Sequence, residues 1–314
     1  MSLKPVGDSS TYHGGMERRD LQRAEKVALL ALLHHDDGKR SRPQIREAIL
    51  EGASAREILA GPNALFPAES VEEALTASLA DLATWESQGI HVLTPLDDDY
   101  PAQMFSVHDF PLVLFGRGTV LDDYRSAAIV GSREFSVGGQ QYAAELATLL
   151  AGRGITVVSG LARGIDITAH RAALRAGGRT VSVLGNGLSH TYPAEHRETQ
   201  EEIGRVGLLL SQFRPETRGS KQTFPQRNMT MSAYSSLTVI VEAKEASGTR
   251  IQARAAINHG RPLVLTEQVV DATSWGRGFA SGSYDVTVAP TPAEALAAIE
   301  GVLARSEEPL TLAR

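Results

Sequence analysis

The chain has 314 residues, of which 42% are hydrophobic and 22% charged, the composition of a globular protein that can bury a substantial core. Acidic residues outnumber basic ones by 37 to 31, and the net charge of -6 excludes a uniformly basic, histone-like nucleic-acid binder but allows a local basic groove. The absence of cysteine excludes disulfides, Cys-ligated zinc, iron–sulfur clusters and thiol catalysis, and it favours a cytoplasmic location.

The N-terminal residues carry no signal for ordered structure or export. Residues 1–19 mix Gly, Ser, His and charge without a hydrophobic period, so they are predicted to form a flexible segment. Apolar runs fall well short of the ~20 residues that a membrane helix needs, and the polar start lacks a signal-peptide core. We therefore expect no membrane association.

Residues 20–95 are predicted to form a small helical domain. Apolar residues recur at helical spacing, and Ser54 followed by Glu57 has the pattern of a capping box. A longer helix is predicted over residues 71–88. The turn chemistry of residues 97–101 marks the border to a second domain.

Residues 96–305 alternate short β-branched runs with amphipathic helical stretches, before a short polar tail over residues 306–314. The candidate strands are residues 127–130, 155–158, 180–184, 208–210, 237–241 and 262–265. They lack polar alternation, as expected when helices cover both faces of a parallel sheet, and the stretches between them have the length of right-handed crossovers. The predicted fold is therefore α/β, a Rossmann-like, doubly wound and mostly parallel sheet preceded by the helical domain.

In such a sheet, ligands bind beyond the carboxyl ends of the strands, so the loops there carry the functional signal. After the first strand, Gly131 permits close backbone approach, Ser132 can donate to a phosphate oxygen, and Arg133 supplies a planar charged fork. A turn glycine beside an exposed arginine is the simpler alternative.

The loop after the second strand is also glycine-rich and contains Ser159, Gly160, Arg163 and Gly164. It matches neither the dinucleotide fingerprint G-x-G-x-x-G nor the Walker A motif, which disfavours a P-loop nucleoside triphosphatase. Asp166 and His170 follow at helical i, i+4 spacing. A structural role for this pair is favoured over a metal or acid–base role, because no third ligand or nucleophile stands beside them.

The fourth crossover carries a local positive strip. Five basic residues lie between Arg205 and Asn228, against one acidic residue, Glu216. Within the strip, Lys221, Phe224, Arg227 and Asn228 combine cations, an aromatic face and an amide. Phosphates attract cations and an unpaired base stacks on a flat ring, so single-stranded nucleic acid fits both. The alternative is a solvated loop with Phe224 plugged into the core.

The third and fifth loops add weaker signals. Tyr192 in the third loop is a possible stacking residue. Ser247 and Gly248 in the fifth form an anion nest or an ordinary helix cap. A competing hypothesis is a nucleotide-sensing or phosphoribohydrolase-type protein, in which the loop near Gly248 holds a small nucleotide and Glu242 assists cleavage. That hypothesis rests on fold analogy alone.

Taken together, the loops resemble the DNA-processing protein A (DprA or Smf) family. The matching pieces, in order along the chain, are Pro111–Phe115, Val130–Arg133, Ser159–Asp166, Tyr192-Pro193, Phe224–Asn228, Val241–Ala243 and Ser247–Thr249. The resemblance implies a Rossmann-like core, often preceded by a sterile-alpha-motif-like helical domain, that binds single-stranded DNA and loads a RecA-type recombinase during natural transformation. It implies no catalytic residue, metal or cofactor, and it implies a homodimer.

The resemblance also assigns site residues. The DNA-contacting set would be Arg133, Lys221, Phe224 and Arg227, and the residues that shape or line the groove would be Gly131, Ser132, Ser159, Gly160, Arg163, Gly164, Asn228, Ser247 and Gly248. Departures at residues 229–234, Gly138-Gly139 and His196 mark a divergent member, and we expect it to lack the C-terminal winged-helix module that many members carry. Anti-phage defence, or neutralisation of a cognate toxin, is an alternative biological role for the same groove.

Overall fold

The structure is a computed structural model that describes residues 18–34, 41–60 and 68–307. Contacts divide the chain into two compact units, Met1–Tyr100 and Pro101–Arg314. The flexible segment and the polar tail predicted for the two ends fall outside the described residues, except where the first helix begins at Arg18 and the last ends at Glu307.

The first unit is built mainly from helices. They are α1 (Arg18–His34), α2 (Arg42–Leu50), α3 (Ala55–Ala60) and α4 (Ala68–Ser87), followed by the short strand β1 (His91–Leu93). The capping box predicted at Ser54 and Glu57 is confirmed, because the Ser54 N–H donates to Glu57 Oε2 at 3.2 Å and the Glu57 N–H donates to Ser54 Oγ at 3.3 Å. This unit extends to Tyr100, whereas the predicted border lies after residue 95.

Within the described residues, the second unit contributes eight strands to one sheet. They are β2 (Leu114–Gly118), β3 (Ser126–Val130), β4 (Thr156–Ser159), β5 (Thr180–Val183), β6 (Leu208–Ser211), β7 (Leu237–Ile240), β8 (Leu263–Leu265) and β9 (Val286–Val288). Their order across the sheet is β2, β6, β5, β4, β3, β7, β8, β9. Neighbouring strands run parallel except β2 and β6, which are antiparallel. The fold is the predicted mostly parallel, Rossmann-like α/β sheet.

Helices connect these strands. They are α5 (Val137–Gly152), α6 (Ile165–Arg175), α7 (Arg197–Val206), α8 (Thr223–Tyr234), α9 (Thr249–Asn258), α10 (Glu267–Ala272), α11 (Ser274–Ala280) and α12 (Pro292–Glu307), with short 3-10 turns at Ala102–Ser106 and Ala194–His196. Helices α5, α6 and α12 bury their apolar residues with those of β3, β4, β7 and β8 in one core. Helices α8 and α9 pack against each other and against β5, β7 and β8.

Two strands, β2 and β9, were not predicted from the sequence. Strand β2 contains Gly116, Arg117 and Gly118, so its second half lacks the β-branched run that marks the buried strands. Strand β9 is three residues long and two of them are exposed. Both strands have weak sequence patterns, because β9 is short and mostly exposed and because Gly-Arg-Gly follows the buried Leu114 and Phe115 in β2.

The sheet has a topological switch point beside β3. The chain runs from β3 outward through β4, β5 and β6, then returns to β7 on the other side of β3. Strands β3 and β7 are parallel neighbours with Val130 opposite Ile240, and α5 and α9 follow them. The loops after β3 and β7 therefore start side by side at the edge where open α/β sheets bind ligands.

Candidate nucleic-acid interface

A cavity of about 690 Å³ opens at this edge of the sheet. It is lined by the segments that follow β3, β4, β5 and β7 and by the start of α8. The predicted site residues in its wall are Gly131, Ser132, Arg133, Lys221, Phe224, Arg227, Asn228, Ser247 and Gly248. The tertiary structure thus brings together residues from separate crossovers that the sequence predicts to share one groove.

The loop after β3 is held tightly against α6. A Cβ atom on Gly131 would lie 2.5 Å from Ile165 Cγ1, so only glycine fits there. Ser132 is buried, and its hydroxyl donates to the Glu134 carbonyl oxygen at 2.5 Å and accepts the Glu134 N–H at 3.1 Å. The predicted donation from Ser132 to a phosphate is therefore replaced by a hydrogen bond within the loop. Arg133 is exposed and lines the cavity.

An aromatic pair forms part of the cavity wall. The rings of Phe224 and Tyr192 lie 5.3 Å apart between centroids, and the Arg133 guanidinium carbon lies 6.0 Å from the Phe224 ring centroid. Phe224 is half-buried, and Tyr192 is 51% exposed. A Cβ atom on Gly185 would come within 2.4 Å of the Phe224 ring, so this glycine makes room for it. Phe224 is consequently seated on the core while it still faces the cavity.

Arg227 supports the groove from below. It is 6% exposed, and its Nη1 donates to the carbonyl oxygens of Gly160 at 2.6 Å and Val183 at 3.0 Å. Its Nε donates to Asn228 Oδ1 at 2.9 Å. These backbone and amide acceptors engage Nη1 and Nε and hold Arg227 in place, which gives it a positioning role. Arg227 also lines the cavity, and the direct DNA contact predicted for it stays a prediction.

Two of the residues predicted to shape or line the groove, Ser159 and Gly164, do not line the cavity. Ser159 is fully buried and its hydroxyl donates to the Ile129 carbonyl oxygen at 2.6 Å, within the sheet. Gly164 has φ +85°, and a Cβ atom there would meet the Ser132 carbonyl oxygen at 2.2 Å. Both shape the loops that border the cavity.

A narrower cleft adjoins the main cavity and is bordered by Gly160, Arg163 and the aromatic pair. The Arg163 side chain is 64% exposed and forms an ion pair with Glu195. The Arg163 guanidinium lowers the pKa of Glu195 to about 2. Arg163 is thus a cation at the edge of the site whose charge is balanced by a neighbouring carboxylate.

The pair of Asp166 and His170 lies in the interior. Burial raises the pKa of the Asp166 carboxyl, although the Arg227 charge and the Gly160 N–H, which donates at 3.2 Å, act in the opposite direction. Burial lowers the pKa of His170 to about 3, and its Nδ1 lies 2.7 Å from Thr180 Oγ1. Across the part of the chain that the structure describes, no three His, Asp or Glu side chains are grouped to hold a metal ion.

Glu242, the carboxylate of the competing phosphoribohydrolase hypothesis, caps helix α5. It is 8% exposed, and its Oε2 accepts the Ser136 N–H at 3.0 Å and the Ser136 hydroxyl at 2.9 Å. A Cβ atom on Gly139 would lie 2.1 Å from that same oxygen. Glu242 is therefore enclosed by the first turn of α5 and stabilises its N-terminus.

The loop after β7 forms hydrogen bonds typical of a helix start, and its role as an anion nest stays a prediction. Ser247 Oγ accepts the Thr249 N–H at 3.1 Å and donates to Thr249 Oγ1 at 2.7 Å, so Ser247 caps the start of α9. Ser247 and Gly248 also line the cavity.

Further residues in the cavity wall were missed from the sequence, namely Glu134, Lys244 and Gln252. Each lies in a loop after a predicted strand or in the first turns of the helix that follows. Their position beside the switch point is the available signal, but the opposite charges of Glu134 and Lys244 leave no local excess of charge in the sequence. Lys221, by contrast, is exposed and has no ion-pair partner among the described residues.

The fold and the site define a Rossmann-like α/β protein with a cationic and aromatic groove at its topological switch point. Residues 91–279 match the family model of DNA recombination-mediator protein A, and the chain belongs to that family. The resemblance stated from the loop motifs is confirmed.

Curated relatives agree. The chain is 37% identical to DNA processing protein DprA of Bacillus subtilis over 184 residues, 58% of this chain and 62% of the relative. It is 38% identical to protein Smf of Escherichia coli over 202 residues, 63% of this chain and 52% of the relative. The chain therefore spans less than two thirds of the length of these relatives.

Solved structures share the fold. DNA processing protein A from Streptococcus pneumoniae superposes with a TM-score of 0.65 at 26% identity, covering 90% of this chain and 98% of that one. DNA processing protein A from Helicobacter pylori, whose structure is described for its single-stranded DNA binding mode, has a TM-score of 0.60 at 26% identity, covering 69% and 96%. None of the helices that the structure describes has the length and apolar character to span a membrane.

Proposed function

We propose that this chain binds single-stranded DNA in the groove at the switch point and does not turn over a substrate. The observation that carries the proposal is the seating of the Phe224–Tyr192 pair, Arg133 and Lys221 in the wall of one cavity. The DNA-binding mode named for the Helicobacter pylori relative supports the same ligand.

The chemistry of the wall suits an unpaired strand. A base must leave its duplex partner before it can stack on a protein ring, so an aromatic face selects for single strands. The exposed side chains of Arg133 and Lys221 can neutralise phosphates beside that ring. Arg227 and Gly160 hold the floor rigid beneath them. Binding energy then comes from stacking and counterion release, with no sequence-specific hydrogen bonds required.

Binding without catalysis is supported by the state of the acidic groups. Glu242 is occupied as a helix cap, and Asp166 is buried against Arg227. A general acid or base must reach the proton that it transfers, and neither of these two buried carboxylates is free to do so. The exposed carboxylate in the cavity wall, Glu134, is held in an ion pair with Lys244.

We further propose that this protein acts in the cytoplasm as a homodimer that protects the bound strand and passes it to a RecA-type recombinase, in DNA processing during natural transformation. Family membership supports this role. Neutralisation of a cognate toxin would use the same groove, and co-purification from the native host would distinguish the two partners.

The test is fluorescence anisotropy with labelled oligo-dT. We expect binding that weakens as salt rises and that unlabelled single strands, but not duplex, compete away. Arg133→Glu should abolish the signal, while the matched Arg175→Glu should leave it unchanged, because α6 ends with Arg175 at the opposite edge of the sheet.

A thermal-shift screen separates this function from the nucleotide-binding alternative, since a ligand stabilises the native state that it binds. Oligonucleotides should raise the melting temperature. Stabilisation by mononucleotides together with no anisotropy change for oligo-dT would instead identify a nucleotide site.

A further inference from the structure

An ion pair connects the two loops that flank the switch point. Lys244 Nζ lies 2.5 Å from Glu134 Oε2, and both side chains also line the cavity. Glu134 follows β3 and Lys244 follows β7, two strands that are parallel neighbours. The pair therefore sits where the loops diverge toward solvent.

The backbone holds these loops together independently of the ion pair. The Ser132 N–H donates to the Glu242 carbonyl oxygen at 2.8 Å, just after the two chains leave β3 and β7. The side chains of Lys244 and Glu134 are 67% and 84% exposed. An ion pair this exposed adds little to stability, so its loss would leave the loops in place.

The charges in the cavity wall indicate how this ion pair affects binding. Within the described lining, the acidic side chains are Glu134 and the buried Asp166, and the cationic ones are Arg133, Lys221, Arg227 and Lys244. An exposed carboxylate in a groove for a polyanion opposes binding by like-charge repulsion. The same carboxylate offers the Lys244 ammonium the kind of oxygen acceptor that a phosphate offers.

We propose that Lys244 is a further phosphate subsite of this groove, which takes a phosphodiester of the bound strand, and that Glu134 occupies the subsite in the free protein and is displaced on binding. The proposal rests on the proposed function, because it adds a contact to the same strand. It distinguishes Lys244 from Lys221, whose ammonium needs no displacement.

The test is a double-mutant cycle measured by oligo-dT anisotropy over a range of salt concentrations. Glu134→Gln should tighten binding several-fold, because Lys244 is released. Lys244→Gln should weaken binding and reduce the salt slope by about 0.7, the share of one phosphate on a single strand. In the Lys244→Gln background, Glu134→Gln should lose most of its gain.

The control is Glu145→Gln, which makes the same charge change on an exposed residue of α5 outside the cavity lining. It should leave affinity unchanged, and thermal unfolding of every variant checks that it is folded. A gain from Glu134→Gln that persists in full without Lys244 would reflect general electrostatics and overturn the proposal. An unchanged salt slope in Lys244→Gln would overturn it too. Absence of oligo-dT binding by the wild-type chain and all variants would instead refute the proposed function itself.

Discussion

The guanidinium of Arg227 donates to the carbonyl oxygen of Gly160 at 2.6 Å, which joins α8 to the loop after β4. A Cβ atom on Gly160 would lie 2.0 Å from Arg227 Nη1, so the hydrogen bond requires glycine at this position. One basic residue of the positive strip thereby becomes part of the scaffold. The exposed cations of the groove therefore have a fixed support beneath them.

Gly160→Ala should destabilise the protein by about 1–3 kcal/mol, because the added methyl group overpacks a buried contact. It should also weaken oligo-dT binding as Arg227 shifts. Urea unfolding and anisotropy measure the two effects. Gly152→Ala is the matched control, since a Cβ atom on Gly152 meets nothing within 4 Å. Equal stability of the two variants would contradict the supporting role of Arg227.

Phe224→Ala should weaken oligo-dT binding by about 1–3 kcal/mol if a base stacks on the ring. Phe224→Tyr keeps the ring and should retain most of the affinity. Phe279 packs against Trp275 and Tyr284, outside the cavity, so Phe279→Ala reports on the general loss of an aromatic ring. Anisotropy titrations at one salt concentration compare the variants. Unchanged affinity for Phe224→Ala would exclude stacking.

Lys221→Gln should lower the slope of log affinity against log salt by about 0.7, because one fewer counterion-releasing phosphate contact is made. Arg175→Gln removes the same charge at the far edge of the sheet and should keep the wild-type slope. Titrations at four or more salt concentrations measure both. A parallel shift in affinity without a change of slope would mean that Lys221 acts through structure rather than through phosphate.

Asp123 is a stability determinant at the other edge of the sheet. It is 2% exposed and accepts hydrogen bonds from Arg179 Nε at 2.7 Å, the Tyr234 hydroxyl at 2.5 Å and Thr156 Oγ1 at 2.7 Å. Asp123→Ala should cost about 3–5 kcal/mol, since it leaves a partly buried arginine without its partner. The neighbouring exposed Asp122 provides the control, Asp122→Ala. Denaturant unfolding should separate the two clearly, and similar midpoints would refute the buried network.

The pair of Asp109 and His259 should give stability an acid-sensitive component. His259 Nε2 donates to Asp109 Oδ1 at 2.8 Å, and this hydrogen bond lowers the pKa of Asp109. A carboxyl whose pKa is depressed on folding contributes stability above its unfolded pKa of about 3.9, and that stability is lost as pH falls toward the folded value.

Asp109→Asn removes this titration. The difference in unfolding free energy between wild type and Asp109→Asn should therefore shrink as pH falls through about 4. Chemical denaturation at successive pH values measures the difference. A difference that grows on acidification would show that the sign is wrong.

Much of the fold could be predicted because its causes are local. Buried parallel strands are continuous apolar runs, and crossovers of helical length separate them, so strands such as residues 127–130 and 180–184 were evident. Strands β2 and β9 were not predicted, because their own sequences are weakly patterned and their position in the sheet depends on pairing with β6 and β8. The position of the site followed from the sheet, since loops after parallel strands share one edge.

The residues of the positive strip show where sequence stops being informative. Lys221 and Arg227 lie in one short segment and carry the same charge, yet Lys221 is exposed whereas Arg227 is buried, with 6% of its surface accessible. Composition, loop position and family motifs were set by the sequence itself, because they depend on residue type and order. Only tertiary packing decided which of these cations stays unpaired. It also decided that Glu134 pairs with Lys244, 110 positions away in sequence, because burial and charge pairing depend on distances in space.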